Sequence, residues 1–212
     1  MKLTFAVPSG RLSEKIRFFL KQADILVPVP VSRELSIQQD NITFIYPRSS
    51  DIPVFVENGA DMGICGSDTV AEQMPEIYTP VFLPVGACRM SIISHNFFDF
   101  SVNDMKGFTV ATKYPEITQR FFREREIPVK IIKLGGSVEL GCISGISDCI
   151  VDIVDSGKTI RENNLKEVLK IMDIQSVLCV NKLSMKVKNR EITRIINKIK
   201  EASYVRLCPK HT

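Results

Sequence analysis

The sequence predicts an α/β protein with largely parallel sheets, and three observations carry that prediction. Short apolar runs bounded by Gly, Pro, Asp and Ser alternate with stretches of helical period along most of the chain, the pattern of strand–helix–strand units. Polar residues suited to ligands, such as Asp68 and the stretch Asp152–Thr159, come directly after apolar runs, where open α/β sheets bind their ligands. No internal repeat, low-complexity run or linker breaks the alternation.

Taken in order, Leu3–Val7 is the first strand and ends in Pro8-Ser9-Gly10. A helix follows with Ile16, Phe19, Leu20 and Ala23 at i, i+3, i+4 and i+7. Ile42–Tyr46 is a strand. Asp51 is placed to cap a short helix through Val54, Phe55 and Val56 that Gly59 ends. Met62–Cys65 is a strand, and Gly66-Ser67-Asp68 leads into another helix. Phe82–Val85 and Arg89–Ile93 are strand-like. In the second half Phe108–Thr112 is a strand, and Pro115 opens a helix carrying Ile117, Phe121 and Phe122. Val129–Ile132 is a strand, Gly135-Gly136-Ser137 turns into a short helix, and Cys149–Val154 is a buried strand. The tail, Val187–Tyr204, is an amphipathic helix with Ile192, Ile195, Ile196 and Ile199 on one face. Lys188, Arg194, Lys198 and Lys200 form an outer face free for solvent or a partner.

Composition removes several function classes. A chain of 212 residues can bury a sizeable core as one large or two small units. The net charge of +4 suits anionic small-molecule substrates and is too small to argue for nucleic acid. No apolar signal-peptide core follows Met1-Lys2, and no apolar run nears the roughly 18 residues of a membrane span. The expectation is a cytoplasmic protein. Six cysteines without a CxxC pair read as reduced, mostly buried thiols. His95 and His211 are the only histidines and have no ligand cluster around them, which argues against a protein-held metal.

The most informative stretch is Asp152-Ile153-Val154-Asp155-Ser156-Gly157-Lys158-Thr159. An apolar strand delivers two carboxylates and then a Ser-Gly-Lys-Thr turn at a helix N-terminus. Turn amides, hydroxyls and the helix dipole make an anion site, and Lys158 adds a positive charge. Asp152 and Asp155 would repel phosphate and suit ribose hydroxyls or magnesium instead. The same stretch also reads as an ordinary strand–turn–helix junction with Asp155 or Ser156 as cap. It is not a Walker motif, because the GxxxxGK[ST] spacing is absent. Gly10 lets the backbone approach a ligand, and Arg11 in the first helical turn opposes the dipole unless it serves one; a surface arginine beside a tight turn fits equally. Arg48 precedes Asp51-Ile52-Pro53. Asp68 can hydrogen-bond an adenine amino group or a ribose, or cap its helix. Gly135-Gly136-Ser137-Val138-Glu139 presents free amides and a carboxylate, or a helix entry capped by Ser137. Arg89, in a strand beside Cys88, faces a cleft or a partner.

These pieces then join. Glu139, Gly145, Ser147, Ile150, Asp152, Ile153, Ser156, Gly157 and Thr159 fall at the spacing E-x5-G-x-S-x2-I-x-D-I-x2-S-G-x-T, which resembles the signature of the ATP phosphoribosyltransferase family. Pro8 with Gly10-Arg11-Leu12, Asp51-Ile52-Pro53, Gly59–Gly63 with Gly66 and Asp68, Cys88-Arg89-Met90, Ala111–Pro115 and Gly136–Glu139 match in the same order. The resemblance covers residues 1–205. Departures are Ser9 where the family usually has Lys, Leu140-Gly141 where Ala-Pro is common, and Ile160 where Leu or Met is usual.

The resemblance implies a type II periplasmic-binding-protein-like fold of two α/β lobes with a cleft between them, lobe one at 1–92 plus 175–212 and lobe two at 93–174. It implies transfer of the phosphoribosyl group of phosphoribosyl pyrophosphate to N1 of ATP, the first step of histidine biosynthesis. By resemblance Ser156, Gly157, Lys158 and Thr159 cradle the 5-phosphate, and Asp152 and Asp155 hold ribose hydroxyls. Asp152, Glu139 and Arg48 are the catalytic candidates. Gly10, Arg11, Asp68 and Arg89 are the ATP candidates, and with Arg48 the three charged ones form the other wall. Magnesium comes with the substrate rather than on protein ligands. The absence of an extra C-terminal domain resembles the short form, a homodimer that works in a hetero-oligomer with a regulatory subunit related to histidyl-tRNA synthetase. A solute-binding protein of the same fold predicts an export signal, and a ligand-sensing regulator predicts a helix-turn-helix; the sequence has neither. An inactive paralogue is opposed by the intact Asp152–Thr159 stretch.

Overall fold

The computed structural model describes residues 1–10, 12–31 and 34–207, with side chains through Tyr204. Along the chain run β1 (Leu3–Ala6), α1 (Ser13–Gln22), β2 (Ser36–Gln39), β3 (Ile42–Ile45), α2 (Ile52–Glu57), β4 (Met62–Gly66), α3 (Ser67–Gln73) and the long β5 (Ile77–His95). There follow β6 (Thr109–Thr112), α4 (Pro115–Arg123), β7 (Lys130–Lys133), α5 (Leu140–Ile143), β8 (Cys149–Val154), α6 (Lys158–Glu162), the long β9 (Leu165–Asn181), α7 (Lys182–Val187) and α8 (Asn189–Leu207).

The chain divides into two compact units, Met1–Gly86 with Gln175–Thr212, and Ala87–Ile174. The first division falls after Gly86, where the expected boundary was residue 92; it lies inside the strand Ile77–His95, at a glycine with φ 71°. The two strand-like pieces expected there are therefore a single element.

In the first unit β1 lies between β3 and β4, parallel to both, while β2 pairs antiparallel with β3 and β9 antiparallel with β4. Alternation along β1 sends Phe5 and Ala6 to opposite faces. Phe5 packs with Ile16, Phe19 and Leu20 of α1 and with Ile192, Ile196 and Ile199 of α8. Ala6 packs with Ile52 and Val56 of α2. Burying each of the larger side chains contributes about 1.5–3 kcal/mol. Asp51 stands at the N-cap position of α2, but its side chain makes no capping hydrogen bond. Ser49–Asp51 forms a 3-10 turn, and the Asp51 carboxylate accepts the Ser50 hydroxyl at 2.9 Å.

In the second unit β6 runs parallel to β7 and β8, and β5 closes the group antiparallel to β8. Ile93, Ala111, Val138, Cys142, Ile150, Val154 and Leu165 make its core on one face. Of the described cysteines, Cys65, Cys142, Cys149 and Cys179 are buried and Cys88 is half-buried. Burial pushes the Cys142 thiol up to about 11 and raises Cys149 further, so neither forms a ready nucleophile. Among the described residues no helix is long and apolar enough to cross a membrane.

The basic face expected on the last helix is smaller than its sequence implied. Lys188, at the junction of α7 and α8, turns inward to the Asp61 carboxylate, 2.8 Å from one oxygen and 2.9 Å from the other. Its ammonium also donates to the Lys2 carbonyl at 2.9 Å. Asp61 is 2% exposed and accepts the Thr4 amide at 2.7 Å. Lys198 donates to the Asp24 carbonyl at 3.3 Å. Arg194 and Lys200 remain exposed. Asp61 thus ties the starts of β1 and β4 to the last helix. Asp61→Ala leaves the ammonium without its partner and should lower the unfolding free energy by about 3–5 kcal/mol in urea titrations. Adding Lys188→Met should recover part of the loss. An unchanged midpoint in Asp61→Ala would contradict this account.

Candidate active site

In the second unit the site begins with strand direction. β6 and β8 lie side by side in parallel, with Ala111 opposite Ile150 and Thr112 opposite Val151. Their C-terminal ends therefore emerge together. Thr112 fixes that edge by donating its hydroxyl to the Val151 carbonyl at 2.8 Å and accepting the Tyr114 amide at 2.9 Å. Lys113, at the end of β6, is exposed.

Asp152 sits half-buried in β8, and its carboxylate accepts the neighbouring Ile153 amide at 2.8 Å. Burial raises the Asp152 carboxyl above its ordinary range, the Ile153 amide opposes that, the Glu139 carboxylate adds to it, and Lys113 opposes it again. Asp152, Glu139 and Lys113 therefore share one electrostatic neighbourhood. Glu139 reaches it because α5 lies unusually close to the sheet. A Cβ on Gly141 would stand 2.8 Å from Ala111 Cβ and 3.3 Å from Ile150 Cγ2, so only glycine fits where the family commonly has Pro.

After β8 the chain makes the turn anticipated at Asp155–Thr159. Gly157 is the N-cap of α6 at φ 70°, a left-handed conformation that glycine adopts without strain. The Ser156 hydroxyl accepts the Lys158 amide at 3.4 Å. Asp155, Ser156, Lys158 and Thr159 are exposed. Lys158 pairs with Glu162 at 3.7 Å, and both side chains are largely in water. The Arg161 guanidinium lies against Gly157, 3.1 Å from where a Cβ would be. The turn and the helix it opens thus carry two cations of their own, Lys158 and Arg161, and the sequence did not single out the second.

Arg89 is in this unit, beside the turn, and not with the other ATP candidates. It pairs with Val154 across the β5–β8 ladder, and its guanidinium grips Glu167 on β9 through both Nε and Nη2. The reason is β5, which passes from the first unit into the second before it reaches Arg89.

The first unit holds Gly10, Arg48 and Asp68. They follow the C-terminal ends of β1, β3 and β4, which are parallel and adjacent. The Ser9 amide and hydroxyl both donate to the Pro47 carbonyl, at 2.9 Å and 3.1 Å, which draws the Gly10 loop to the loop bearing Arg48. Arg48 is exposed. Asp68 is 7% exposed, in the first turn of α3, whose N-cap is Gly66; it is not the cap. Arg11 lies outside the described residues.

Lys113, Arg161, Ser91 and Glu167 were not anticipated as members of the site. Lys113 had a legible signal, since it follows an apolar strand at its C-terminal end. Glu167 had none, because β9 itself carries no clear strand signature. A groove of 780 Å³ bordered by Pro115, Phe122, Ile127 and Lys133 contains none of the candidate residues.

The family model described as HisG: ATP phosphoribosyltransferase matches residues 48–201. An ATP phosphoribosyltransferase from Petrotoga mobilis is 52% identical over 198 residues, covering 93% of this chain and 94% of the relative. In the solved ATP phosphoribosyl transferase (HisG:HisZ) complex from Thermotoga maritima, one chain is similar with a TM-score of 0.82 and 32% identity. The match covers 95% of this chain and 98% of that one. The substrate-binding protein of an amino acid ABC transporter shares the fold at a TM-score of 0.58 and 14% identity, over 97% of this chain and 92% of its own. The two-lobed binding-protein class is thus the fold of this chain.

The raised Asp152 carboxyl has a consequence for stability. The native state holds this proton more tightly than the unfolded chain does, so the group's contribution is full below the ordinary Asp range of about 4. It is lost as the pH climbs towards the raised value and stays lost at neutral pH. Asp152→Asn should therefore raise the thermal midpoint by a few degrees at pH 7.5, and the gain should shrink as the pH approaches about 4. A pH-independent difference, or a loss of stability at neutral pH, would count against a desolvated carboxylate.

Proposed function

The chain belongs to the ATP phosphoribosyltransferase family, and from that membership and the geometry at its strand ends we propose how it performs the reaction. The enzyme transfers the phosphoribosyl group of phosphoribosyl pyrophosphate to N1 of ATP, the first step of histidine biosynthesis. The N1 lone pair forms the new bond to the anomeric carbon. The carbon–oxygen bond to pyrophosphate breaks, and its electrons leave with pyrophosphate. Positive charge develops on the ribose and negative charge on the leaving group. No protein nucleophile is required, so positioning and electrostatic stabilisation carry the rate.

The observation that carries this reading is the half-buried Asp152 carboxylate near the end of β8, in the electrostatic reach of Glu139 and just before the Ser156–Thr159 turn. A desolvated carboxylate gains most from a cation that forms next to it during the reaction, and it accepts hydroxyl donors while it waits. Asp152 is assigned to stabilise the ribose, with Glu139 in the same neighbourhood and Asp155 on a ribose hydroxyl. Ser156, Gly157, Lys158 and Thr159 bind the 5-phosphate, joined by Arg161. Lys113 balances the two carboxylates. In the first unit Gly10, Arg11 and Asp68 are assigned to ATP, and Arg48 to the charge on its phosphates or on pyrophosphate. Arg89 leaves the ATP set, since Glu167 occupies its guanidinium.

Magnesium is assigned to the pyrophosphate of the substrate, where it neutralises the leaving group. Among the described residues no group of three His, Cys, Asp or Glu side chains assembles to hold an ion. Two carboxylates with a lysine close by fit a hydroxyl-rich, transiently cationic ribose better than a bare dication. The Thermotoga maritima relative is named as a complex of two kinds of chain. We assign to this chain the same kind of assembly in the cytoplasm, a homodimer joined by a histidyl-tRNA-synthetase-like regulatory subunit.

The reaction is followed by mixing the protein with ATP, phosphoribosyl pyrophosphate, magnesium and a pyrophosphatase and reading near-ultraviolet absorbance of the N1-alkylated adenine. Thr159→Ala and Gly157→Val should both raise KM for phosphoribosyl pyrophosphate, Gly157→Val more, since a β-branched residue tolerates the left-handed conformation poorly. Loss of one preorganised donor costs about 2.7–4 kcal/mol of transition-state stabilisation, or roughly a hundredfold or more in kcat/KM. Asp152→Asn should lower kcat at least about tenfold with little change in KM for ATP. Wild-type kinetics in folded Thr159→Ala and Gly157→Val would place the phosphate elsewhere.

A further inference from the structure

Glu167, Arg89 and Ser91 form a closed set of contacts that the reaction as described does not use. All three are in the second unit, Glu167 on β9 and the other two on β5. Arg89 donates Nε to one Glu167 oxygen at 2.7 Å and Nη2 to the other. The Ser91 hydroxyl, fully buried, donates to the first of these oxygens at 2.9 Å. A guanidinium held by two of its nitrogens has a fixed plane, so the direction of the third is fixed as well. That third nitrogen, Nη1, donates to the Asp155 carbonyl at 3.3 Å.

Asp155 is the first residue after β8 and the residue before Ser156-Gly157. Its carbonyl is where the phosphate turn leaves the sheet. The turn's own bonds, Lys158 amide to Ser156 hydroxyl at 3.4 Å and Arg161 amide to Gly157 carbonyl at 3.1 Å, are local and do not anchor it to a neighbouring strand. We propose that Glu167 is a positioning residue for the phosphate turn, acting through Arg89, whose forked guanidinium transmits the position of β9 to the Asp155 carbonyl. Ser91 sets the Glu167 carboxylate. Because Ser91 lies directly opposite Asp152 in the β5–β8 register, the same set borders the ribose carboxylate.

Charge argues for this use of Arg89. Glu167 occupies Arg89 bidentately, and a polyphosphate would have to displace that carboxylate to bind the guanidinium in the same way. Arg89 and Ser91 in turn hold the Glu167 carboxyl below the usual range, so the clamp is ionised at neutral pH. The role is geometric, and its expected signature is a change in binding of phosphoribosyl pyrophosphate alone.

The inference rests on the turn as the 5-phosphate site, and the test separates the two. Glu167→Gln keeps one acceptor for the guanidinium, and Arg89→Lys keeps the charge without the fork. Each should raise KM for phosphoribosyl pyrophosphate roughly tenfold, the worth of one charge-assisted hydrogen bond. KM for ATP should stay within about twofold and the thermal midpoint close to that of the parent, and the double variant should be no worse than the poorer single one. Ser91→Ala should give a smaller change in the same direction. Calorimetric titration of phosphoribosyl pyrophosphate with magnesium provides the same comparison without turnover. An unchanged KM for phosphoribosyl pyrophosphate in both variants, while Gly157→Val raises it, overturns the positioning role and leaves the turn as the phosphate site. A rise in KM for ATP alone overturns it in favour of Arg89 as an ATP ligand. If Gly157→Val also leaves binding of phosphoribosyl pyrophosphate unchanged, the phosphate site itself is wrong and the clamp falls with it.

Discussion

The parallel alignment of β6 with β8 is the constraint from which the chemistry of the second unit follows. Two parallel strands in register must end at the same edge, and the residues that leave the sheet there are released from packing while still anchored by it. Lys113 leaves β6, Asp155 leaves β8, and Asp152 sits within β8 just before the edge. The first unit repeats the device with β1, β3 and β4, which deliver Gly10, Arg48 and Asp68. The opposite edge has a different use. Asp61, Lys188, Lys2 and Thr4 meet at the start of the strands in a hydrogen-bonded cluster around the buried Asp61 carboxylate. One edge is committed to stability, which leaves the other free to carry charge that is not fully satisfied.

That unsatisfied charge has a cost, and its location is informative. Asp152 is raised by burial and by Glu139, with only the Ile153 amide and Lys113 in opposition. A protein selected for stability alone would place an amide or an apolar residue at this point of β8. Strain of this electrostatic kind is relieved when positive charge appears beside the carboxylates, so under the proposed mechanism the desolvation that weakens the resting fold would strengthen the transition state. Asp61 shows the contrast: it is more deeply buried, but Lys188 and the Thr4 amide answer it in the resting protein.

The sequence was legible where short-range rules determine the outcome. β1 and β8 are apolar runs that end at Pro8 and Asp155, and the turn after β8 could be read because Ser-Gly-Lys-Thr can do little else at a strand end. It was not legible where partners are distant. β9 begins as a half-exposed ribbon, Leu165–Asp173, with lysines and acids in loose alternation, and only its last residues, Ser176–Asn181, are buried without a break. β2 is four residues of polar edge strand with no apolar pattern. Missing β9 meant missing Glu167, and without Glu167 Arg89 had to be read as an unoccupied cation. Lys188 failed for the same reason, since its partner Asp61 is 127 residues away in sequence.

Ser9 shows how a departure from the family pattern can exchange a charge for a structural bond. A lysine there would project a cation from the loop after β1. Serine projects nothing, and its hydroxyl and amide both bind the Pro47 carbonyl. The hydroxyl is too short to reach a ligand while it makes that bond, so its contribution is to hold the Gly10 loop against the segment that carries Arg48. Arg48 is one residue beyond the latch and exposed. Fixing its backbone reduces the conformational freedom lost when the guanidinium orders around a phosphate, and a guanidinium offers a forked pair of donors where an ammonium offers a point charge. Where the family pattern has a cation, the loop after β1 of this chain therefore contributes a latch, and the charge next to that latch is the exposed guanidinium of Arg48 on the adjacent strand end.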